Sequence, residues 1–247
     1  MTAAPARYRF HHERHADARL LPGTAIADFA QIQHVRLGLH EIGDAAADYP
    51  LGFLKDAASG QFRLVALLGL AAGTNSYLHG DFWQAVYLPQ EIVAAPFSYA
   101  GPDRDLCINE ASARVATDTG DPLFTADGSE APVLQAIRTT LDQLESGRTA
   151  ADQLIAAALA AQLIRPVAVT IRFDTGQADV LDGLYTISPV QLRALQPAAL
   201  TDLHSRDLLA PVYAITQSLG QLNRLRQLHN LYSARQIAGL ELVLDQP

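Results

Sequence analysis

The period of hydrophobic and polar positions changes along the chain, and the first half has the pattern of short strands. From Tyr49 to about Val115, apolar runs such as YPLGFLKD, GQFRLVALLGL and FWQAVYLP are separated by glycine, proline and aspartate. Runs of this length, bounded by turn-forming residues, are typical of β-strands. The stretch FLKDAASGQFRLVALL predicts a hairpin whose turn spans Asp56 to Gly60. We therefore predict a β-rich part over about residues 45–125.

A helical period replaces this pattern after about residue 130. Residues 132–144 and 149–164 place apolar side chains at intervals of three and four, which predicts two helices. The second, TAADQLIAAALAAQLI, is rich in alanine and apolar enough to be largely buried. The apolar stripe of the first helix consists of Val133, Ile137, Leu141 and Leu144.

The last third of the chain combines a hairpin with further helices. Residues 166–187, PVAVTIRFDTGQADVLDGLYTI, contain two strand-like runs joined at Asp174-Thr175-Gly176. Three helices are predicted after this hairpin: a short one opened by Ser188-Pro189, one over 197–204, and a longer one over about 206–231.

These elements together predict an α+β fold. Its N-terminal half is β-rich with hairpins, and its C-terminal half, about residues 130–235, is helical and carries one β-hairpin. Both parts are expected to pack as a single unit over residues 1–247, because the apolar stripes of the helices need a partner surface to bury them.

Composition and charge narrow the classes of function. A hydrophobic content of 49% with 18% charged residues lets a chain of 247 residues bury a sizeable core, so disorder throughout is excluded. The formal charge of −8, with no dense block of lysine and arginine, argues against nucleic acid or an anionic membrane as a partner.

Hydropathy and cysteine content bear on localisation. The longest apolar run, residues 64–73, is about half the roughly twenty residues of a transmembrane helix, so no transmembrane segment is expected. The first twenty residues lack the apolar stretch of a secretory signal. The lone cysteine, Cys107, fits a reducing compartment. We expect a cytoplasmic protein, with surface or periplasmic association left open.

One short motif suggests a metal site. His79 and Asp81 have the His-x-Asp spacing that places two ligands of a facial triad on one face of a strand, as in iron(II) and 2-oxoglutarate dependent oxygenases. The candidates for a third ligand, His204 and His229, fall in predicted helices. A turn at His79-Gly80-Asp81 is the favoured interpretation, because a Gly-Asp pair readily reverses the chain. The iron oxygenase is kept as the alternative.

Other chemical motifs carry less information. In HHERH, residues 11–15, the register of a metallopeptidase motif fails because Ala16 stands where the second histidine is needed. His11 and His15 could hold a divalent metal weakly, but an exposed polar segment is favoured. Cys107 has no histidine nearby in sequence and is expected to be a small buried apolar residue. No cofactor is therefore favoured, and the chain is expected to act without catalysis.

A more specific signal comes from longer landmarks that occur in a particular order. The chain resembles the bacterial SapC family over about His15 to Leu225. The landmarks that carry the resemblance are RHADARL, DFA, YPLGFLKD, LVALLGL, Asn75, the pattern W-x-x-x-Y-L-P from Trp83 to Pro89, PF at 96–97, CIN, GDPLFTADG, LDGLYTI and VYAITQSL.

The resemblance implies an accessory role. Similar proteins accompany genes for outer-membrane receptors, cupin-like proteins and flavin halogenases, which implies an envelope- or uptake-associated system with a peptide or protein partner. Two departures stand out: Ser76 replaces a usual leucine, and Val93-Ala94-Ala95 replaces a segment that usually has an arginine before Pro-Phe. A binding contact made by that arginine would be missing here.

The aromatic landmarks have two physical interpretations. Trp83 and Tyr87 can bury a large area while their polar groups require partners, so they suit a core edge or a pocket wall, and the core is favoured. The binding hypothesis predicts a pocket formed by Asn75, Trp83, Tyr87 and Phe97. Assembly into a homo-oligomer is left open.

Overall fold

The computed structural model describes residues 8–101 and 103–244. Its strands are β1 (Tyr8–Arg9), β2 (Arg19–Leu20), β3 (His34–Arg36), β4 (Leu51–Lys55), β5 (Phe62–Leu67), β6 (Leu78–His79), β7 (Phe82–Trp83), β8 (Phe97–Ala100), β9 (Asp105–Ile108), β10 (Val115–Ala116), β11 (Asp121–Pro122), β12 (Ile164–Phe173), β13 (Ala178–Ile187) and β14 (Ile237–Leu244). Its α-helices are α1 (His12–His15), α2 (Ile42–Asp48), α3 (Gln90–Ala94), α4 (Pro132–Ala160), α5 (Pro189–Arg193), α6 (Pro197–Ser205), α7 (Leu209–Ser218) and α8 (Leu222–Tyr232).

A six-stranded antiparallel sheet is the largest element of the fold. Its strand order is β14-β12-β13-β4-β5-β3, so it takes three strands from each half of the chain. The mixed α and β composition is confirmed, as are the hairpins β4–β5 and β12–β13. The prediction of a single hairpin in the C-terminal half was incomplete, because β14 adds a third strand there by pairing with β12.

Helix α4 corrects the prediction of two separate helices, because it runs unbroken through Gly147. A Cβ atom at position 147 would lie 2.3 Å from Nδ1 of His40 and 3.1 Å from Cα of Gly38. The glycine therefore permits a close approach of two backbones rather than ending a helix. The long helix predicted over 206–231 is instead α7 and α8, joined by a 3₁₀ turn at Leu219–Gln221.

Two clusters of buried side chains form the core. The larger contains the buried residues of the main sheet together with those of α2, α7 and α8. The smaller lies around the three-stranded sheet β1-β9-β8. Helix α4 joins the two, because Leu134 and Leu141 belong to the smaller cluster and Leu154 and Ala158 to the larger. The middle of α4 therefore lies where the two cores meet.

The described residues bear on two further predictions. Within residues 8–101 and 103–244, no helix combines the length and the apolar character needed to cross a bilayer. The prediction of one unit over residues 1–247 includes residues 1–7, 102 and 245–247, which lie outside the described part of the chain, and it stays a prediction.

Candidate functional site

The His-x-Asp motif lies in a tight hairpin. Strands β6 and β7 pair His79 with Phe82, and Gly80 and Asp81 form the two-residue turn between them. Gly80 has a φ of 55°, a conformation that glycine adopts without steric cost in such turns. The imidazole of His79 stacks on Tyr232, with 3.6 Å between the ring centroids. The predicted turn is confirmed.

Within residues 8–101 and 103–244, no three or more histidine, cysteine, aspartate or glutamate side chains form a group that could hold a metal. His229, once a candidate third ligand, has its Nε2 2.9 Å from the carbonyl oxygen of Arg235.

One histidine of the N-terminal segment differs from expectation, whereas His11 and His12 are exposed as expected. His15 is buried rather than exposed, because its ring stacks on Phe10 and its Nε2 lies 3.0 Å from a carboxylate oxygen of Glu110. The contact with Glu110 joins distant parts of the chain, and the contact with Phe10 depends on the short helix α1. The polar composition of HHERH therefore indicated neither of them.

Three of the four predicted pocket residues lie in a hydrogen-bonded frame. Trp83 Nε1 donates to the hydroxyl of Tyr49 over 2.7 Å, and that hydroxyl donates to the carbonyl of Tyr87. The side chain of Asn75 donates to the carbonyl of Phe29 and accepts from the backbone N–H of Tyr77, each over 2.9 Å. Each of these polar groups is satisfied within the protein, which indicates a structural role.

Two buried carboxylates complete this frame. Glu41 accepts hydrogen bonds from Gly38 N, Gln90 N and the hydroxyl of Tyr87, at 2.7, 2.9 and 2.9 Å. Asp48 accepts from the backbone N–H groups of Val86 and Tyr87, at 2.9 and 2.8 Å.

The electrostatics of this region fit the hydrogen bonding. Burial raises the pKa of the Tyr87 hydroxyl, and the negative charge of Glu41 raises it further, so the phenol stays protonated and donates. Arg224 Nη1 lies 3.6 Å from Asp48, and Arg224 Nη2 donates to the carbonyl of Gln84 over 2.7 Å. These bonds hold residues 84–90 in place, and α3 starts at the end of that segment.

A cleft with a volume of about 330 Å³ lies where the two cores meet. We name it the arginine cleft. Helix α3 and the residues after it form one wall, the middle of α4 a second, and strands β3 and β5 a third. It is lined by Asp28, Phe29, Ile32, Arg36, Arg63, Glu91, Ala94, Ala95, Pro96, Phe97, Ser98, Tyr99, Asn109, Leu141, Leu144 and Arg148.

The sheet register brings two of the arginines to the same face. Arg36 on β3 lies opposite Val65 on β5, and Arg63 is two residues before Val65. Because side chains alternate between the faces of a sheet, Arg36 and Arg63 project from the same face. Arg63 pairs with Asp56 of the β4–β5 turn at 3.1 Å.

Arg148 is more enclosed than Arg63, whose side chain is 45% exposed. The side chain of Arg148 is 14% exposed, and it contacts Glu91 at 2.8 Å and Glu145 at 2.6 Å. The same oxygen of Glu91 also accepts the backbone N–H of Arg36 at 2.9 Å. Arg148 and Glu91 therefore join α4, α3 and β3 across the cleft, while Nε of Arg148 is buried without a hydrogen-bond partner.

Arg36 differs from the other two arginines in its pairing. For its guanidinium, the structure records no hydrogen bond or ion pair with any of residues 8–101 and 103–244. Burial lowers the pKa of Arg36 below its ordinary value, and the positive charges of Arg148 and Arg63 lower it further. Glu91 and Glu145 offset part of this effect. The cleft thus contains a cation whose donors are open.

Neutral polar groups also lie in the cleft without full partners. The hydroxyl of Ser98 is buried and makes no hydrogen bond to the described residues. The side chain of Asn109, which is 7% exposed, donates only a long bond of 3.5 Å to Asp28. A ligand with acceptor oxygens would satisfy such donors.

A second depression, of about 390 Å³, adjoins the cleft. It shares Arg36, Arg63 and Glu91 with the arginine cleft and adds His34 and Lys55 to the lining. Arg36 and Arg63, from β3 and β5, therefore line both depressions, and Asp56 and Glu91 lie beside them in the second.

The structure places the predicted site residues in two locations. Phe97 lines the arginine cleft, although its side chain is only 3% exposed, while Asn75, Trp83 and Tyr87 belong to the frame around Tyr49 and Glu41. The sequence interpretation missed Arg36, Arg63, Glu91 and Arg148, which are far apart in the chain. The available signal of these residues was an arginine between apolar neighbours, in HVRLGL and in QFRLVAL.

The segment before Pro96 and Phe97 also lines the cleft. Ala94 and Ala95 line the cleft directly before Pro96 and Phe97. Because both side chains are small and apolar, that part of the wall is apolar.

The fold and the cleft define a mixed α and β protein with one large antiparallel sheet and a charged site at the junction of its two cores. A comparison with protein families matches the SapC model to residues 10–225, and the chain belongs to the SapC family. Comparisons with curated proteins and with solved structures found no match.

Proposed function

We propose that this SapC-family chain is an accessory binding protein of a bacterial envelope- or uptake-associated system, and that it binds a peptide or protein partner in the arginine cleft. The observation that carries the proposal is the guanidinium of Arg36, which lies in a concave site without a partner among the described residues. A charged group that is partly removed from water without a partner is costly, so such groups are typical of binding sites.

The dimensions and lining of the cleft favour a short segment of a partner. A volume of about 330 Å³ accommodates a side chain or a chain terminus rather than a folded domain. Its apolar wall, which includes Phe97 and Leu141, suits the aliphatic part of such a group.

The chemistry of the lining favours binding over nucleophilic catalysis. The lining residues named above include a serine, Ser98, but no histidine, lysine or cysteine. Nucleophilic catalysis by serine needs an adjacent base, and Glu91 is held in an ion pair with Arg148. For the alternative iron oxygenase, the described residues form no group of three or more ligands that would include His79 and Asp81.

The decisive experiment is a screen for peptide binding. A synthetic array would present peptides of varied composition with free and with amidated C-termini, and isothermal titration calorimetry would measure the affinity of each positive peptide. Ser98→Phe is expected to weaken binding because the larger side chain fills the cleft. The expected loss of affinity is about tenfold or more, which corresponds to about 1.4 kcal/mol or more.

Two further variants make the screen interpretable. Ser205→Phe introduces the same side chain at an exposed position on α6 and is expected to leave affinity unchanged. Ile32→Trp narrows the cleft from another wall and covers the case in which Ser98→Phe does not fold. An array without any binding peptide, or full affinity in both cleft variants, would overturn the proposed function.

A further inference from the structure

We propose that the arginine cleft recognises a carboxylate group of the partner, either a C-terminus or an acidic side chain, through the guanidinium of Arg36. This inference rests on the proposed function and names the chemistry of its ligand. The guanidinium is planar and presents paired N–H donors that match the two oxygens of a carboxylate.

The pairing of charges identifies Arg36 as the open position. Arg148 already contacts two carboxylates, Glu91 and Glu145, and Arg63 contacts Asp56. Only the backbone N–H of Arg36, not its side chain, is bonded to Glu91. An incoming anion therefore meets one guanidinium that makes no hydrogen bond to the described part of the chain.

The number and sign of the neighbouring charges favour a carboxylate over a phosphate. Asp28 and Glu91 also line the cleft, and both repel an anion that enters it. A phosphate monoester carries close to two negative charges at neutral pH, whereas a carboxylate carries one. The lining contains three arginines and these two carboxylates, so its net charge of +1 matches a singly charged group better than a doubly charged one.

The surroundings of Arg36 also favour the binding of an anion. Burial and two neighbouring arginines disfavour the charged form of Arg36, as the direction of its pKa shift shows. A carboxylate beside the guanidinium acts in the opposite direction, since an opposite charge favours ionisation. Binding would therefore relieve an unfavourable environment that the folded protein already contains.

Neutral donors and apolar side chains complete the recognition site. The hydroxyl of Ser98 and the amide of Asn109 line the same cleft and are unpartnered or weakly bonded. Ile32, Leu141 and Phe97 supply an apolar wall for the carbon atoms next to the carboxylate.

Small probes test the chemistry directly, without a known partner. The Nε–Hε resonance of Arg36, assigned by its loss in Arg36→Gln, would be followed by NMR at constant ionic strength during titration with N-acetylglycine, N-acetylglycinamide and inorganic phosphate. We expect a saturable shift with N-acetylglycine, none with the amide, and weaker binding of phosphate. No shift with N-acetylglycine, an equal shift with the amide, or tighter binding of phosphate would overturn the inference.

Matched peptides then distinguish the two sources of the carboxylate. Each array peptide that binds would be compared as free acid and amide, and with each glutamate replaced by glutamine. Removing the recognised carboxylate is expected to weaken binding by about tenfold or more, since a charge-assisted hydrogen bond is worth roughly twice a neutral one. Loss with the amide identifies a C-terminus, and loss with glutamine identifies an acidic side chain.

Variants of the protein separate this inference from the proposed function. Arg36→Gln is expected to remove the preference for carboxylate-bearing peptides, and Arg36→Lys to retain part of it, because lysine keeps the charge but not the paired donors. Arg193→Gln, which removes an exposed arginine of α5, is the matched control. Peptides that bind equally with and without a carboxylate would overturn the carboxylate inference and leave the proposed function standing.

Discussion

The frame around Glu41 and the arginine cleft both contain partly or fully buried charged groups, but they differ in how completely those groups are paired. Glu41 is 0% exposed and accepts three hydrogen bonds, and Asp48 accepts two more while Arg224 lies nearby. Arg36 makes no side-chain bond within the described residues. Nε of Arg224 is buried without a hydrogen-bond partner among the described residues, but both carboxylates of the frame are bonded, which indicates a structural role. A guanidinium with no partner indicates instead a place for a ligand.

The largest expected effect belongs to the closed network. Glu41→Ala removes the acceptor for Gly38 N, Gln90 N and the Tyr87 hydroxyl. Leaving these buried donors without partners should lower the free energy of unfolding by about 3–5 kcal/mol. Urea denaturation followed by circular dichroism measures the change. Glu41→Gln keeps one acceptor oxygen and should cost less, while a loss below about 1 kcal/mol for Glu41→Ala would contradict a structural role.

The next effect tests the paired part of the cleft. Arg148→Leu removes the contacts to Glu91 and Glu145 that join α4 to α3, and should lower the free energy of unfolding by about 2 kcal/mol. Arg172→Leu is the control, because Arg172 and Glu241 are 62% and 56% exposed and such pairs are worth about 0–1 kcal/mol. Equal losses in the two variants would show that the enclosure of Arg148 contributes nothing.

An exposed ion pair provides a reference with a defined pH dependence. The hydrogen bond from Arg14 lowers the pKa of Glu110 below its ordinary value. The folded state therefore favours the ionised form, so the contribution to stability is present above the ordinary pKa and is lost as the pH falls through the lowered one.

Glu110→Gln tests this dependence. The variant should lose up to about 1 kcal/mol at neutral pH, as is usual for exposed pairs, and the difference from the wild type should shrink below about pH 4. Thermal unfolding across the pH range measures it. A difference that grows on acidification would reverse the assigned sign.

The smallest effect on stability is expected at the open arginine. Arg36→Gln should lower the free energy of unfolding by no more than about 0.5 kcal/mol, because the side chain makes no bond to the described residues and its charge lies in an unfavourable environment. Arg193→Gln should behave alike in denaturation. The comparison between the two regions would fail if Arg36→Gln destabilised the protein as strongly as Glu41→Ala.

Local chemistry explains which elements the sequence predicted. The hairpins β4–β5 and β12–β13 were predicted because their turns, at Asp56 to Gly60 and at Asp174 to Gly176, use residues whose own backbone preferences reverse the chain. The turn at Gly80-Asp81 was predicted for the same reason. The continuity of α4 was missed, because Gly147 is explained by its contact with His40 and Gly38 rather than by a helix end.

The candidate site was less accessible to sequence reasoning. Trp83 and Tyr87 were recognised as landmarks, and the structure places them with Asn75 in the frame that holds residues 84–90 and thereby leads into α3. Phe97 was named for a pocket and does line the cleft. The arginines were not named, since one arginine between the apolar residues of a strand is only a weak signal of function.

The sequence by itself determined the family, the mixed α and β class and the turns, because landmark order, hydrophobic period and turn chemistry are local properties of a chain. Only the tertiary structure decided which charges are paired. Arg36, Glu91 and Arg148 come from β3, α3 and α4, and their distances depend on how these elements pack. Because ion pairs and hydrogen bonds act over a few ångströms, the difference between the closed frame and the open cleft exists only in three dimensions.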